Sequence, residues 1–295
     1  MARFGAVLTA MVTPFDDDGA VDLDGVAALA AWLVEQGNDG LVVTGTTGEA
    51  SVLTDDEQIE VWRAVRGAVS VPLLVGAGTN DTRHATELVR AAGGAGADGV
   101  LLVTPYYNRP SQAGIEAHFR TLAAATDLPV VLYDIPVRTG RKIASDTIVR
   151  LAEVDNVVGV KDAAGDPAAS ARLLAEAPDG FELYSGDDSL TLPLLSIGAV
   201  GVIGVCTHWC AAEMGEMVAA HAKGDVEQAR RLNAAMLDSY DYETSDANPN
   251  PIPAKAMLRV LGQPAGQCRL PMGPAPDGLE DRAREVLRGL GRPGF

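Results

Sequence analysis

"GNDGLVV" (Gly37–Val43), "GADGVLLV" (Gly96–Val103) and "GAVGVIGV" (Gly198–Val205) are three versions of one device. A glycine closes a helix in the left-handed conformation, a tight turn follows, and an apolar run begins. Such runs, rich in Val, Leu and Ile, recur every few tens of residues: Ala6–Met11, Gly40–Val43, Pro72–Val75, Gly99–Val103, Pro129–Tyr133, Val157–Val160, Phe181–Ser185 and Gly201–Ile203. Longer stretches with helical periodicity separate them. In Asp22–Gln36, for example, Asp22 suits the N-cap, and Leu23, Val26, Leu29 and Leu33 share a face. Thr54 suits the cap of a second helix, about Asp55–Val69, whose first turn is acidic as the helix dipole favours. Alternation of this kind predicts a parallel sheet.

Eight parallel strands, each followed by a helix, can close into a barrel that carries its chemistry at the C-terminal strand ends. The competing doubly wound open sheet usually has fewer strands and a Gly-rich phosphate fingerprint after the first, where this chain reads "TAMVTPF". The expected fold is therefore α/β, a TIM (β/α)8 barrel with a C-terminal helical extension. The expected boundaries are a catalytic barrel over residues 1–223 and the extension over 224–295. Segments around Glu213–Lys223 and Val226–Ser239, and the region after "NPNPIPAK" (Asn248–Lys255), supply helices beyond the eight units.

The 295 residues are 47% hydrophobic, ample for a large core. Lys and Arg total 23 against 40 Asp and Glu, a balance that repels phosphate backbones and anionic lipid and argues against nucleic-acid and membrane partners. No signal-peptide pattern and no stretch of eighteen apolar residues stands out, so a cytoplasmic location is expected. Three cysteines, Cys206, Cys210 and Cys268, are an odd number without a disulfide framework, as in a reducing compartment. In "VCTHWC", Cys206 and Cys210 bracket His208, but structural zinc needs four ligands and no second cluster exists among His84, His118 and His221. No metal is expected.

If the barrel closes, the residues just past each strand share one rim. These are "TGTTGE" (Thr44–Glu49), "TPYYNRP" (Thr104–Pro110), Tyr133 with "DIPVRTG", Lys161, and "SGDD" (Ser185–Asp188). Lys161 ends an apolar strand. Its ordinary pKa near 10.4 leaves it almost wholly protonated, and a low-dielectric barrel mouth can lower that value by disfavouring the charge. The neutral amine can attack a ketone to form a Schiff base, an electron sink for carbanion chemistry at the next carbon. Tyr133, on the adjacent strand end, is placed for proton transfer. The "GTTGE" loop offers N–H groups and two hydroxyls to a carboxylate, and Arg138 offers a planar fork to a second one. Each also has a plainer reading: Lys161 as a strand-end cation paired with Asp162, the loop as only a turn, Arg138 as a solvated side chain.

"GTTGEA", "VTPYYNRPSQ", "YDIPVRTG", "GVKDAAGD", "YSGDD" and "NPIPAK" occur in the order and approximate spacing of the dihydrodipicolinate synthases, within the pyruvate-dependent lyases that include N-acetylneuraminate lyase. The resemblance covers nearly the whole chain. It implies that Lys161 forms an imine with pyruvate and that Tyr133 moves protons, helped by Thr46 and by Tyr107, which in such enzymes reaches across a dimer interface. It implies that Thr47 holds the pyruvate carboxylate, that Gly186 and the Ile203 backbone line the pocket, and that Arg138 receives L-aspartate 4-semialdehyde. No metal or organic cofactor is implied, and the usual assembly is a homotetramer, a dimer of dimers. Another pyruvate lyase of the same architecture, cleaving a sugar acid or hydroxy-oxo-acid, uses the same imine. A non-catalytic keto-acid sensor or scaffold is disfavoured by intact Lys161, Tyr133 and Thr46.

One part of the family pattern is altered. Lysine-inhibited members carry histidines shortly after the "GTTGE" loop and a glutamate following an asparagine. This chain has Asp55, Gln58 and His84 there, while Asn80 and Tyr106 remain. An effector ammonium thus meets a histidine where it needs a carboxylate, and weak or absent lysine feedback is expected.

Overall fold

The computed structural model describes residues 2–295. Eight strands, β1 (Val7–Ala10), β2 (Gly40–Val43), β3 (Leu73–Gly76), β4 (Gly99–Val103), β5 (Val130–Asp134), β6 (Val157–Asp162), β7 (Glu182–Ser185) and β8 (Gly201–Gly204), pair in sequence order into a closed parallel barrel. The expected TIM barrel is thus the observed one. Closure removes both sheet edges and sends alternate side chains to opposite faces of the barrel wall. Leu8, Val42, Leu74, Leu101, Val131, Tyr184 and Ile203 fill the lumen. Leu41, Leu73, Val75, Val100, Leu132 and Val202 pack outward against the helices. Each such aliphatic side chain contributes on the order of 1.5–3 kcal/mol by leaving water.

The repeated glycine device has a physical basis at both of its glycines. Gly37, Gly96 and Gly198 lie at φ +102°, +86° and +109°, which only glycine adopts without strain. Three residues later, Gly40, Gly99 and Gly201 open their strands where a neighbouring backbone carbonyl passes too close for a side chain. A Cβ on Gly40 would stand 2.9 Å from the Phe4 carbonyl, one on Gly99 would stand 3.0 Å from that of Pro129, and one on Gly201 would run into that of Ala6. In two of the repeats an aspartate ties the turn to the start of the preceding strand. Asp39 accepts from the N–H groups of Ala6 and Val7, and Asp98 from that of Leu73.

The helix Leu23–Glu35 begins on Asp22, whose carboxylate accepts from the Gly25 N–H, and Asp55–Ala68 begins on a complete capping box between Thr54 and Glu57. The helix Thr207–Ala222 follows β8 and completes the eighth unit. Beyond it come helices Val226–Ala235, Leu237–Glu243, Ile252–Val260 and Leu279–Gly289. Their buried residues, among them Ala229, Tyr240, Tyr242, Met257 and Val286, are continuous with the apolar layer outside the barrel. No helix among the described residues is long and apolar enough to cross a membrane.

Candidate active site

Strand β6 is two residues longer than its apolar run, and the difference sets up the site. Lys161 and Asp162 belong to the strand, with Lys161 in register with Tyr133 of β5 and Asp162 with Asp134. That register depends on an irregularity lower down. Val130 pairs with Val157, but Val131 pairs with Gly159, so Val158 is an extra residue. A regular ladder starting at Val157 would set Lys161 opposite Asp134, on the helix-facing side. The bulge absorbs one residue and turns Lys161 into the lumen beside Tyr133, as bulges near active sites commonly re-aim a side chain. Gly159 permits it, since a Cβ there would lie 2.5 Å from the Glu182 carbonyl oxygen.

Lys161 is only 4% exposed, and its Nζ lies 4.4 Å from the centre of the Tyr133 ring. Burial lowers its pKa to about 8, against the upward pull of Asp188 and Glu243. Burial also raises the Tyr133 phenol to about 12, with Arg138 and the Thr46 hydroxyl opposing the rise. Gly186 makes room for the lysine stem: a Cβ there would sit 2.9 Å from Lys161 Cγ and 3.0 Å from Ala163 Cβ. The Gly186 N–H donates to the Asp162 carbonyl, which fixes the β7 end against β6.

Behind the lysine lie two buried carboxyl groups. Asp188 accepts from the Val205 N–H at 2.8 Å and the Cys206 thiol at 3.2 Å, and Glu243 accepts from the Cys206 N–H at 2.9 Å. Burial raises both, Glu243 strongly, and the negative charge of Asp188 adds to the rise at Glu243. Two carboxyls this close cannot both ionise. One proton shared by the pair leaves a single negative charge near the amine. Asp188 lies inside a motif legible in the sequence; Glu243, at the end of the helix Leu237–Glu243, carried no signal.

The Thr44–Glu49 loop starts and ends in left-handed backbone, Thr44 at φ +50° and Glu49 at +57°. The Trp62 indole N–H donates to Thr44 Oγ1 at 2.7 Å, and that hydroxyl donates to the Gly76 carbonyl. Thr46 is exposed at the barrel mouth, whereas Thr47 is buried and accepts from Asn250 Nδ2 at 2.8 Å. Asn250 also accepts, through its carbonyl, from Arg138 Nη2 at 3.2 Å. It therefore joins the two proposed carboxylate sites, a link absent from the sequence reading although "NPIPAK" contains it.

A cavity of about 670 Å³ opens over Tyr133 and is lined by Thr46, Tyr107 and Arg138. Lys161, Thr47, Gly186 and Ile203 lie outside its lining, and Ile203 is a lumen residue of β8 in register with Leu8. Tyr107 stands 91% exposed at φ +70°. The cavity extends to Gln58, Asn80, His84 and Tyr106, and His84 Nε2 is 2.8 Å from Asp55 Oδ1.

The "VCTHWC" side chains point to separate partners. Cys206 donates to Asp188, Cys210 Sγ lies 3.3 Å from Ser239 Oγ, and His208 Nε2 accepts from the Val12 N–H while Nδ1 faces the Val205 carbonyl.

A family model described as the dihydrodipicolinate synthetase family matches residues 3–289. The chain is 52% identical to the 4-hydroxy-tetrahydrodipicolinate synthase of Acidothermus cellulolyticus, over 98% of this chain and 94% of that protein. Among solved structures, the dihydrodipicolinate synthase of Cyanidioschyzon merolae with lysine bound is 42% identical with a TM-score of 0.96, covering 99% of this chain and 100% of that one. The chloride-inhibited dihydrodipicolinate synthase of Acinetobacter baumannii complexed with pyruvate is 38% identical with a TM-score of 0.93, covering 98% and 99%. A family-model match over residues 3–289, with full-length similarity in sequence and in backbone, places the chain in the dihydrodipicolinate synthetase family.

Proposed function

We propose that the chain is a 4-hydroxy-tetrahydrodipicolinate synthase, a lyase that condenses pyruvate with L-aspartate 4-semialdehyde in the diaminopimelate route to lysine. The observation that carries this reading is the buried Lys161 amine, set beside Tyr133 by the strand register. The neutral amine adds to the pyruvate ketone and water leaves, giving an imine. Loss of a methyl proton gives the enamine, whose carbon attacks the aldehyde while the new alkoxide takes up a proton. The substrate amine then displaces Lys161 by transimination and closes the ring. Tyr133, with a phenol that stays protonated through neutral pH, donates to the leaving hydroxyl and accepts the proton back, relayed by Thr46 and by Tyr107 of a neighbouring subunit. Thr47 holds the pyruvate carboxylate, Gly186 and the Ile203 backbone line the imine pocket, and Arg138 receives the second substrate. The Asp188 charge is the counter-ion of the cationic imine. The high exposure of Tyr107 favours an assembled form, a homotetramer built of dimers, and the acidic composition suits a cytoplasmic enzyme. Residues 1–223 serve as the catalytic barrel and 224–295 as its extension.

Incubation with pyruvate followed by borohydride is expected to leave a reduced adduct on the peptide carrying Lys161, read by mass spectrometry. Turnover with aspartate semialdehyde should exceed that with N-acetylneuraminate or aldol acids. Arg138→Ala should raise KM for the semialdehyde by roughly a hundredfold, the scale of a lost charge-assisted pair, with pyruvate saturation unmoved. An absent adduct rejects the imine; preference for a sugar acid rejects the second substrate.

The pH dependence follows from the lysine. With its pKa at about 8, roughly a tenth of Lys161 is neutral at pH 7, against about one part in three thousand at 10.5. Trapping by pyruvate should therefore rise about tenfold per pH unit below the midpoint and level off above pH 8. A trapping rate flat between pH 6 and 8 would contradict the proposed lysine environment.

Lysine should inhibit weakly or not at all, in contrast to what a lysine-bound relative suggests for its own pocket. His84 is engaged with Asp55 and offers no carboxylate to an effector ammonium. Complete inhibition at submillimolar lysine is the result that would overturn this.

A further inference from the structure

The proposed chemistry leaves one buried ion pair unused, and it grips the end of the "GTTGE" loop. Glu49 and Lys255 face each other at 2.7 Å with side chains 2% and 1% exposed. Glu49 Oε2 accepts from the backbone N–H of Arg269 at 2.9 Å. Lys255 Nζ donates to the Gln267 carbonyl at 3.0 Å and lies 4.0 Å over the Phe15 ring. Arg269 is itself anchored, with both guanidinium arms on Glu57 and further contacts to the carbonyls of Gly19 and Val52. Removing two charges from water costs about as much as their attraction returns, so an apolar pair would serve stability equally well. An apolar pair cannot hold a glutamate in left-handed backbone by an ion pair on one carboxylate oxygen and a backbone hydrogen bond on the other. The held turn is tight: the Glu49 N–H donates to the Thr46 carbonyl at 3.1 Å, and Thr13 Oγ1 donates to the Gly48 carbonyl at 2.6 Å. Thr47 is caught between these two points.

We propose that Glu49 and Lys255 are positioning residues for the oxo-acid carboxylate: through their ion pair the C-terminal extension locks the turn that presents Thr47. The inference rests on reading the loop as the pyruvate carboxylate site. It separates two properties that a purely structural pair would move together, namely folding stability and pyruvate saturation.

The test titrates pyruvate alone and reads the borohydride-trapped Lys161 adduct by intact mass, beside the melting temperature. Glu49→Gln and Lys255→Met should each melt lower and need roughly tenfold more pyruvate for half-maximal adduct, since a small misplacement of a binding group costs that much or more. The double variant Glu49→Met/Lys255→Met should recover its melting temperature, as paired apolar replacement of buried charges does, yet keep the raised half-saturation. The pH midpoint of trapping should stay where it is, because Lys161 is untouched. A double variant that folds and saturates at the wild-type pyruvate concentration overturns the inference. If the double variant does not fold, Glu49→Gln decides by the same criterion, a half-saturation within about twofold of wild type being the overturning result. Thr47→Ala serves as the reference. If it leaves half-saturation unchanged, the carboxylate-loop reading falls; if it shifts and Glu49→Gln does not, only the present inference falls.

Discussion

Lys161→Arg should abolish the pyruvate adduct and bring turnover to roughly a thousandth of wild type or less, because the covalent route disappears. Arginine keeps the positive charge, so Asp188 retains its counter-charge and the fold is not asked to bury an unpaired carboxylate. It removes the one property the chemistry needs, since a guanidinium does not lose its proton in a protein. Wild-type Lys161 differs because burial, outweighing the upward pull of Asp188 and Glu243, brings its amine to about 8. Mass spectrometry after borohydride, initial rates with both substrates and a melting curve together form the measurement. A variant that folds and still turns over within tenfold of wild type would mean the amine is not the nucleophile, and the proposed function would fall with it.

Tyr133→Phe should lower kcat by about 10²–10⁴, the usual worth of a positioned proton-transfer group. The ring stays, so the surface 4.4 Å from Lys161 Nζ is preserved and the lysine environment changes little. Only the hydroxyl is lost. The adduct should still form, but slowly, and its pH midpoint should remain close to that of wild type. The slow step then reports proton movement rather than amine basicity. Turnover within about threefold of wild type would assign the proton transfers to another group, with Thr46 and Tyr107 the next to examine.

Much of the fold was legible in the chain. Eight apolar runs could be counted, and the glycines at positions 37, 96 and 198 marked helix-to-strand turns because no other residue occupies that backbone region without strain. Lys161 and Tyr133 were legible as strand-end residues. Three things were not. The true end of β6 was hidden, because a lysine and an aspartate interrupt the hydrophobic pattern while the backbone ladder continues beneath them. The Asp188–Glu243 pair was hidden, because a partner supplied by a distant helix leaves no periodic trace. The same holds for Asn250, which reaches Thr47 and Arg138 from the C-terminal extension. Glycine inside "VVGVKD" was the one available hint of the bulge, since strand-interior glycine often marks an irregular ladder.

The bulge at Val158 gives β6 a spare residue, and so an uneven tolerance to change in length. A chain one residue shorter between Val157 and Lys161 could smooth the ladder and still deliver the amine beside the phenol. A chain one residue longer would need a second irregularity, or would export the amine into the layer beneath the helices. Loss of a residue at this point of the barrel relaxes the wall, whereas gain of one has to be hidden in a further distortion.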